Sequence, residues 1–200
     1  MNLRLFVALE PPDPVRRRVA ALQAGLRRDA GRHAGDVRWV ATDRIHLTLQ
    51  FLGAVPEERL AAVREAVEAA AAAASPLRLA VGGAGGFPSA RRPRVLWAAV
   101  TGDLAGLSAL VAEVGRRLAP LGFPAEDRPF SPHVTLGRSR EARGAPGLGG
   151  AIAGAAGADP VAWRADEVVL FRSHLGPGGA RHEVLARAPL GPPREEGTLK

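Results

Sequence analysis

The spacing of apolar positions changes along the chain between two periods, which predict strands and helices. Residues 3–9 form a short apolar run before two prolines and predict a buried strand. Residues 14–30 follow an Asp-Pro start and carry apolar side chains every three or four positions, which predicts an amphipathic helix. A short strand is expected at 37–40. A second strand is expected at 45–52, where His46, Thr48 and Gln50 share one face.

The rest of the chain continues with the same two periods. Further strands are expected at 77–81, 95–100, 132–136, 168–172 and 182–186, and further helices at 56–74 and 103–119. Residues 82–88 (GGAGGFP) are rich in glycine and predict a loop. Residues 138–160 predict a long surface excursion with a helical turn near 151–156.

The order of these elements contains a weak internal repeat. A strand, a helix and a strand with the motif His-x-Thr-x follow one another at 3–9, 14–30 and 45–52. The same order returns at 95–100, 103–119 and 132–136. Two similar lobes related by a pseudo-twofold axis would place the two motif strands face to face.

The repeated motif puts a histidine and a threonine on one face of each strand, because side chains alternate along a strand. One such motif alone would simply face water, but two copies at equivalent places indicate a function. A neutral imidazole accepts a proton and an imidazolium donates one near neutral pH. Threonine hydroxyls can bind phosphate oxygens. A metal site fits less well, since only two histidines converge and neither motif contains a carboxylate.

Composition narrows the class of protein. Hydrophobic residues make up 46% of the 200 residues, which is enough for a core, and no apolar run reaches the length of a membrane span. Cysteine is absent, which excludes disulfides and thiolate sites. The net charge is +7, and Lys200 is the only lysine, so arginine supplies the positive charge. Coding bias accounts for many arginines, yet a basic surface attracts polyanions whatever its origin.

The sequence resembles the bacterial RNA 2′,3′-cyclic phosphodiesterases, also called 2′-5′ RNA ligases, of the two-histidine phosphoesterase superfamily. The resemblance extends over most of the chain. It rests on seven segments, at 4–9 (RLFVAL), 38–40 (RWV), 46–53 (HLTLQFLG), 87–88 (FP), 93–98 (PRVLWA), 129–138 (PFSPHVTLGR) and 170–173 (LFRS).

The resemblance implies a fold, an activity and a substrate. The fold would be α+β, bilobal and pseudo-symmetric, with two antiparallel sheets flanking a central cleft and helices on the outside. The activity would be hydrolysis of a 2′,3′-cyclic phosphate, on RNA ends or cyclic nucleotides, to a 2′-phosphate without a metal or other cofactor. Reversible 2′-5′ ligation of RNA is the alternative activity, and a non-catalytic RNA-binding protein with the same basic cleft is the alternative outside enzymes.

The resemblance also implies roles for individual residues. His46 would be the proton donor and His133 the proton acceptor, while Thr48, Thr135 and Arg138 would bind the phosphate.

Two implied roles conflict with the strict alternation of a strand. Arg138 would point away from His133 unless the strand ends or bulges at Gly137. Phe51, which would stack on a base, faces the same difficulty. Relatives often carry a tyrosine where this chain has His182, and the chain contains no tyrosine.

The organisation expected of the whole chain is simple. Residues 1–190 would form one bilobal phosphoesterase domain, and 191–200 a flexible tail. The absence of a leader-like start predicts a cytoplasmic protein. We expect a monomer without an obligate protein partner and without membrane contact. His33 and His174 are expected on the surface, and Arg91, Arg92 and Arg94 either follow an RNA backbone or form a solvated loop.

Overall fold

The computed structural model describes residues 1–126, 128–176 and 179–191, and it contains helices and two antiparallel sheets. The strands are β1 (Asn2–Leu9), β2 (Val37–Trp39), β3 (Leu47–Pro56), β4 (Leu77–Phe87), β5 (Val95–Gly102), β6 (His133–Ser139), β7 (Val161–Ala165), β8 (Glu167–His174) and β9 (Arg181–Pro189). The α-helices are α1 (Asp13–Ala30), α2 (Leu60–Ala72), α3 (Leu104–Leu118) and α4 (Gly149–Ala155). The predicted tail lies outside the described residues beyond Gly191.

The sheets confirm the predicted α+β architecture. Sheet I has the strand order β3-β1-β8-β9, and sheet II has the order β2-β6-β5-β4-β7. Helices α2 and α3 pack on sheet I, whereas α1 and α4 pack on sheet II. One continuous hydrophobic core fills the space between these helices and the sheets.

The predicted repeat is visible in the connectivity. The first half runs β1-α1-β3 and the second runs β5-α3-β6, with β3 and β6 in contact where the two sheets meet. Each half is also followed by a strand that joins the sheet of the other half. Strand β4, which follows the first half, pairs with β5, and β8, which follows the second half, pairs with β1. The strands that carry the two motifs therefore occupy corresponding places in the two sheets.

The ends of the helices follow the sequence signals. Helix α1 begins with an acidic residue and a proline, and it ends at Gly31, whose φ of 53° suits glycine. The carboxylate of Asp103 caps α3 by accepting a hydrogen bond from the Gly106 N–H at 2.8 Å. Helix α3 packs against the motif strand β3, and α1 packs against β4 and β7 of sheet II.

The prediction of a loop at 82–88 is wrong, because residues up to Phe87 continue β4. The glycines serve close packing rather than a turn. A Cβ atom on Gly85 would overlap the indole ring of Trp97 on β5, and one on Gly82 would meet the backbone of Pro160. Strand β7 was not predicted, whereas the helical turn expected in the excursion is confirmed as α4.

Candidate active site between the two sheets

The two motif histidines have the same local geometry. His133 begins β6, and His46 directly precedes β3. The Nδ1–H of His46 donates to the carbonyl oxygen of Arg44 at 2.8 Å, and that of His133 donates to the carbonyl of Ser131 at 2.7 Å. Because a carbonyl only accepts, Nδ1 carries the hydrogen in both rings, and Nε2 of each neutral ring is left as a proton acceptor.

A β-bulge interrupts the alternation of β3 directly after Thr48. Two consecutive residues of β1 face Thr48 and Gln50, so Leu49 is an extra residue in this strand. Leu49 and Gln50 are both buried, and Phe51 is 54% exposed. The bulge thus returns Phe51 to the face of Thr48. The prediction that Gln50 shares that face is wrong, because the bulge turns it into the core.

A second bulge occurs at the equivalent place in β6. Leu96 and Trp97 of β5 face Gly137 and Thr135, so Leu136 is the extra residue. Arg138 is thereby returned to the face of Thr135. The sequence required such an irregularity at Gly137, and the structure has it one residue earlier.

The two bulges make the halves comparable residue by residue. Phe51 and Arg138 each follow their motif histidine by five positions and each lie on the motif's own face. One half therefore presents an aromatic ring where the other presents a guanidinium. One repeated backbone geometry therefore carries two different side chains at the same position of the two halves.

A buried glutamine side chain lies at each bulge. Nε2 of Gln23 donates to the carbonyls of Val40 and Leu136, each at 2.8 Å. Nε2 of Gln50 donates to the carbonyls of Phe123 and Pro124 at 3.0 and 3.1 Å. The Leu136 carbonyl lies at the bulge of β6, and a buried carbonyl that loses its donor is costly, so the bond from Gln23 favours this bulged backbone. Sequence reasoning missed Gln23, which gives no signal beyond being polar on an apolar helix face.

Aromatic rings surround His46. The ring of Phe6 lies 4.8 Å from its centroid and stacks in turn on Phe171 at 5.0 Å. His182 meets His46 edge-on, with centroids 5.2 Å apart and the ring planes at 90°. His182 thus belongs to the site. His33 and His174 do not, since they pair with Asp36 and Glu183.

This environment lowers the pKa of His46 from 6.5 to about 4. Burial is the largest cause, and positive charge on His182, Arg138 and His133 acts in the same direction. The hydrogen bond to the Arg44 carbonyl opposes the shift. His46 is therefore neutral at pH 7.

The pKa of His182 is also lowered, by burial and by the guanidinium of Arg44. Its Nδ1 is buried, and no described residue forms a hydrogen bond with it. Charging either imidazole in this pair is thus unfavourable.

The lowered pKa of His46 predicts a pH dependence of stability. The unfolded chain takes up this proton near pH 6.5, whereas the folded protein takes it up near pH 4. The contribution of His46 is complete above pH 6.5 and is lost as the pH falls to 4. It amounts to about 3 kcal/mol of unfolding free energy, at about 1.4 kcal/mol per pKa unit. Urea unfolding of His46→Phe should show a shallower decline over this range than that of the unmodified protein. Equal slopes for the two proteins would contradict the lowered pKa.

The cleft beside these residues has a volume of about 1030 Å³. Its lining includes Thr48, Phe51, His133 and Arg138. The ring of Phe87 meets His133 edge-on at 5.1 Å. His133, the Thr48 hydroxyl, the Arg138 guanidinium and the exposed ring of Phe51 thus lie around one opening, a combination suited to a phosphate attached to a nucleoside. His46 and Thr135 are not among the residues that line it.

The described residues offer neither a metal cluster nor a membrane-spanning helix. Within the described ranges, no three His, Cys, Asp or Glu side chains gather in a way that could hold a metal ion. Among the helices of those same ranges, none combines the length and the apolar character that spanning a bilayer requires.

Comparison with known proteins identifies relatives of this chain. The profile of the family described as "LigT like Phosphoesterase" matches residues 9–97 and 102–182. An RNA 2′,3′-cyclic phosphodiesterase of Methanothermobacter thermautotrophicus is 31% identical over 180 residues, which cover 90% of this chain and 94% of that protein. One of Geobacillus stearothermophilus is 35% identical over 76% of this chain, which spans only 47% of that protein's length.

Solved structures show the same fold. The crystal structure of TT0787 of Thermus thermophilus matches this chain with a TM-score of 0.76 and 28% identity. The match covers 96% of this chain and 100% of that chain. The structure of E. coli LigT complexed with 3′-AMP has a TM-score of 0.70 and 27% identity, over 95% of this chain and 99% of that chain.

Proposed function

Because the chain belongs to the LigT-like phosphoesterase family, we propose that it is an RNA 2′,3′-cyclic phosphodiesterase. The curated relatives that align over nearly their full length carry this activity in their names. The substrate is the cyclic phosphate at an RNA end or on a nucleotide, and the E. coli neighbour with bound 3′-AMP supports a nucleotide ligand. The product is a 2′-phosphate.

The mechanism assigns one proton transfer to each half of the molecule. Nε2 of His133 accepts a proton from water while the water oxygen forms a bond to phosphorus. The bond between phosphorus and O3′ breaks, and Nε2–H of His46 donates the proton that O3′ needs as it leaves. His133 ends protonated and His46 neutral, and exchange with solvent restores both.

The observation that carries this proposal is the matched geometry of the two histidines. Both rings hold their Nδ1 hydrogen against a backbone carbonyl, so both offer Nε2 to the ligand. Attack and departure occur on opposite sides of phosphorus, and two corresponding strands supply one imidazole for each side.

Binding of substrate adjusts the protonation of His46. Its pKa is about 4 in the free protein, so His46 takes up the proton that it donates only when the substrate is bound. A cyclic phosphate carries one negative charge, which raises the pKa of a neighbouring imidazole. The same anion offsets the charge of Arg138, which lowers this pKa in the free protein.

Threonine, arginine and phenylalanine side chains make the remaining contacts with the substrate. Thr48 and Thr135 donate hydroxyl hydrogens to the nonbridging oxygens, and Arg138 pairs with their charge. Phe51 stacks on the base of the terminal nucleotide, since its ring is exposed beside the cleft.

Turnover of a cyclic mononucleotide tests the proposed function. We expect the protein to convert 2′,3′-cyclic AMP to 2′-AMP, identified by chromatography against both monophosphate standards. Binding without turnover would indicate a non-catalytic RNA-binding protein. Formation of 3′-AMP would contradict O3′ as the leaving group.

Removal of divalent cations should leave this reaction unchanged. The proposed mechanism moves both protons through imidazoles and neutralises the phosphate with Arg138, so no step relies on a Lewis acid. Initial rates measured after dialysis against EDTA and in its presence should agree with the untreated rate within error. A lost activity that Mg²⁺, Mn²⁺ or Zn²⁺ restores would overturn the mechanism.

A further inference from the structure

The two edge strands of sheet I approach each other at His46. Strands β3 and β9 are the edges of this sheet, with β1 and β8 between them. The ring of His182 on β9 nevertheless lies 5.2 Å from the ring of His46, which directly precedes β3. Neighbouring strands are about 4.8 Å apart, so a flat sheet of four strands would separate its edges by roughly 14 Å. Sheet I is therefore curled, and the curl brings the two imidazoles together.

Arg44 connects the same two edges. Its guanidinium donates a hydrogen bond to the carbonyl of Ala180, which directly precedes β9, at 3.1 Å. Its own carbonyl accepts the Nδ1–H of His46 at 2.8 Å. One residue thus holds His46 through its backbone and the strand of His182 through its side chain, and the two rings are fixed relative to each other.

Packing against other rings holds His182 in place. It meets Phe6 edge-on, with centroids 4.9 Å apart and ring planes at 76°, and it lies 6.3 Å from Phe171. Its Nδ1 is buried, and no described residue forms a hydrogen bond with that atom. The ring is therefore held by its shape and not through Nδ1, and a hydrocarbon ring of similar size would keep these contacts.

The other half of the molecule contains the same kind of contact. Phe87, at the end of β4, meets the ring of His133 edge-on, with centroids 5.1 Å apart and ring planes at 83°. Each motif histidine thus has one hydrogen bond from Nδ1 to a backbone carbonyl and one ring edge against it. A single hydrogen bond tolerates a range of angles, so the edge of a second ring restricts the imidazole further.

We propose that His182 is a positioning residue for the proton donor His46, whose ring plane it fixes so that Nε2–H points at the departing O3′. The proposal rests on the proposed function. The rings that His182 contacts are those of His46, Phe6 and Phe171, so it acts through His46 rather than on the phosphate. Its loss slows the departure of O3′ and leaves the binding of the phosphate unaffected.

Charge on His182 would oppose this role. Burial and the guanidinium of Arg44 lower the pKa of His182, while the carboxylate of Asp43 acts in the opposite direction. His182 is thus neutral at pH 7, and a neutral ring allows His46 to take up its proton when the substrate binds. The positive charges that lower the pKa of His46 are those of His182, Arg138 and His133.

Replacement of the ring tests the positioning role. We expect His182→Ala to lower kcat for 2′,3′-cyclic AMP by about 10- to 100-fold and to change KM less than about twofold, because a small misplacement of a catalytic group has effects of this size. His182→Phe presents a ring edge of the kind that Phe87 presents to His133, and its kcat should stay within about threefold of that of the unmodified protein. The matched control is His174→Ala, which removes an imidazole paired with Glu183 in the same sheet and should change neither constant.

Two further comparisons separate positioning of His46 from general damage to the fold. In a protein that already carries His46→Ala, the additional change His182→Ala should lower kcat by less than about twofold, since no imidazole is left to position. With a substrate whose 3′ oxygen is replaced by sulfur, which departs without a proton, the deficit of His182→Ala should fall to within about threefold. A merely structural role would leave both deficits at their full size.

The outcomes with an active protein decide the role of His182 alone. Full kcat of His182→Ala, or a deficit that His182→Phe does not relieve, would overturn the positioning role and leave the phosphodiesterase intact. Thermal unfolding verifies that each variant is folded. If His182→Ala is unfolded, His182→Leu takes its place, because leucine fills the space without presenting a flat edge.

Absence of turnover by the unmodified protein would overturn the phosphodiesterase itself, and an NMR titration of the His46 ring then decides whether His182 acts on it. His182→Ala should raise the pKa of His46 from about 4 toward 6.5, because its burial and the nearby charge both decrease. His182→Phe should raise this pKa less, since the burial is kept. An unchanged pKa in His182→Ala would overturn the action of His182 on His46.

Discussion

We expect His46→Ala and His133→Ala each to lower kcat for opening of a 2′,3′-cyclic phosphate by a factor of about 10² to 10⁴. This is the usual effect of removing one general acid or base. Each substitution removes the Nε2 that one half of the molecule supplies and leaves the other half in place. The double variant should be little slower than either single one, because a proton donor and a proton acceptor act in the same step.

Matched variants separate this effect from damage to the fold. His174→Ala removes an imidazole that pairs with Glu183 away from the site and should retain full activity. Thr48→Ala and Thr135→Ala should lose less than the histidine variants, because Arg138 still holds the phosphate. Thermal unfolding of each variant verifies that it is folded under assay conditions. Full activity of either single histidine variant would end the acid–base assignment.

The second large effect distinguishes the two histidines from each other. If the 3′ oxygen is replaced by sulfur, the leaving group needs no proton, so loss of the general acid matters much less. The deficit of His46→Ala should then shrink at least about tenfold, or about 1.4 kcal/mol of barrier. The deficit of His133→Ala should persist, because water must still lose a proton. Rates of the 3′-thio and the natural substrate, measured with both variants, provide the comparison.

The low pKa of His46 makes this experiment informative. An imidazole that is neutral in the empty cleft is suited to accept a proton, and only the bound phosphate makes it a donor. If the thio substrate rescues His133→Ala instead, the two roles are exchanged between the halves. The pair itself would stand, since the geometry of the two rings is the same.

Much of the fold could be predicted because most elements follow from local patterns. The apolar stripe of α1 and the Asp103 cap of α3 are short-range patterns. The repeat was also readable, and with it the equivalence of His46 and His133. The stripe and the cap depend on neighbours within a few residues, and the repeat appears as a recurring motif, so a sequence displays both directly.

The errors come from interactions between distant segments. Gly82 and Gly85 look like a loop until Pro160 and the Trp97 ring are placed against them. The bulges at Leu49 and Leu136 depend on pairing with other strands, and the second is tied to Gln23, which is distant in the chain. Strict alternation therefore misplaced Gln50 and left Phe51 and Arg138 on the wrong side.

The exchange of strands between the two halves constrains how the chain folds. Leu5 of β1 pairs with Arg172 of β8, so the sheet beside His46 closes only after nearly the whole chain is available. Contacts between residues so far apart are slow to form, whereas the neighbouring β4 and β5 can pair early. During synthesis, the half that carries His133 can thus build most of its sheet before the N-terminal half finds its last partners. The chain consequently buries His46 at a late stage, and a truncated product without β8 lacks both the strand that pairs with β1 and the Phe171 ring that stacks on Phe6 beside His46.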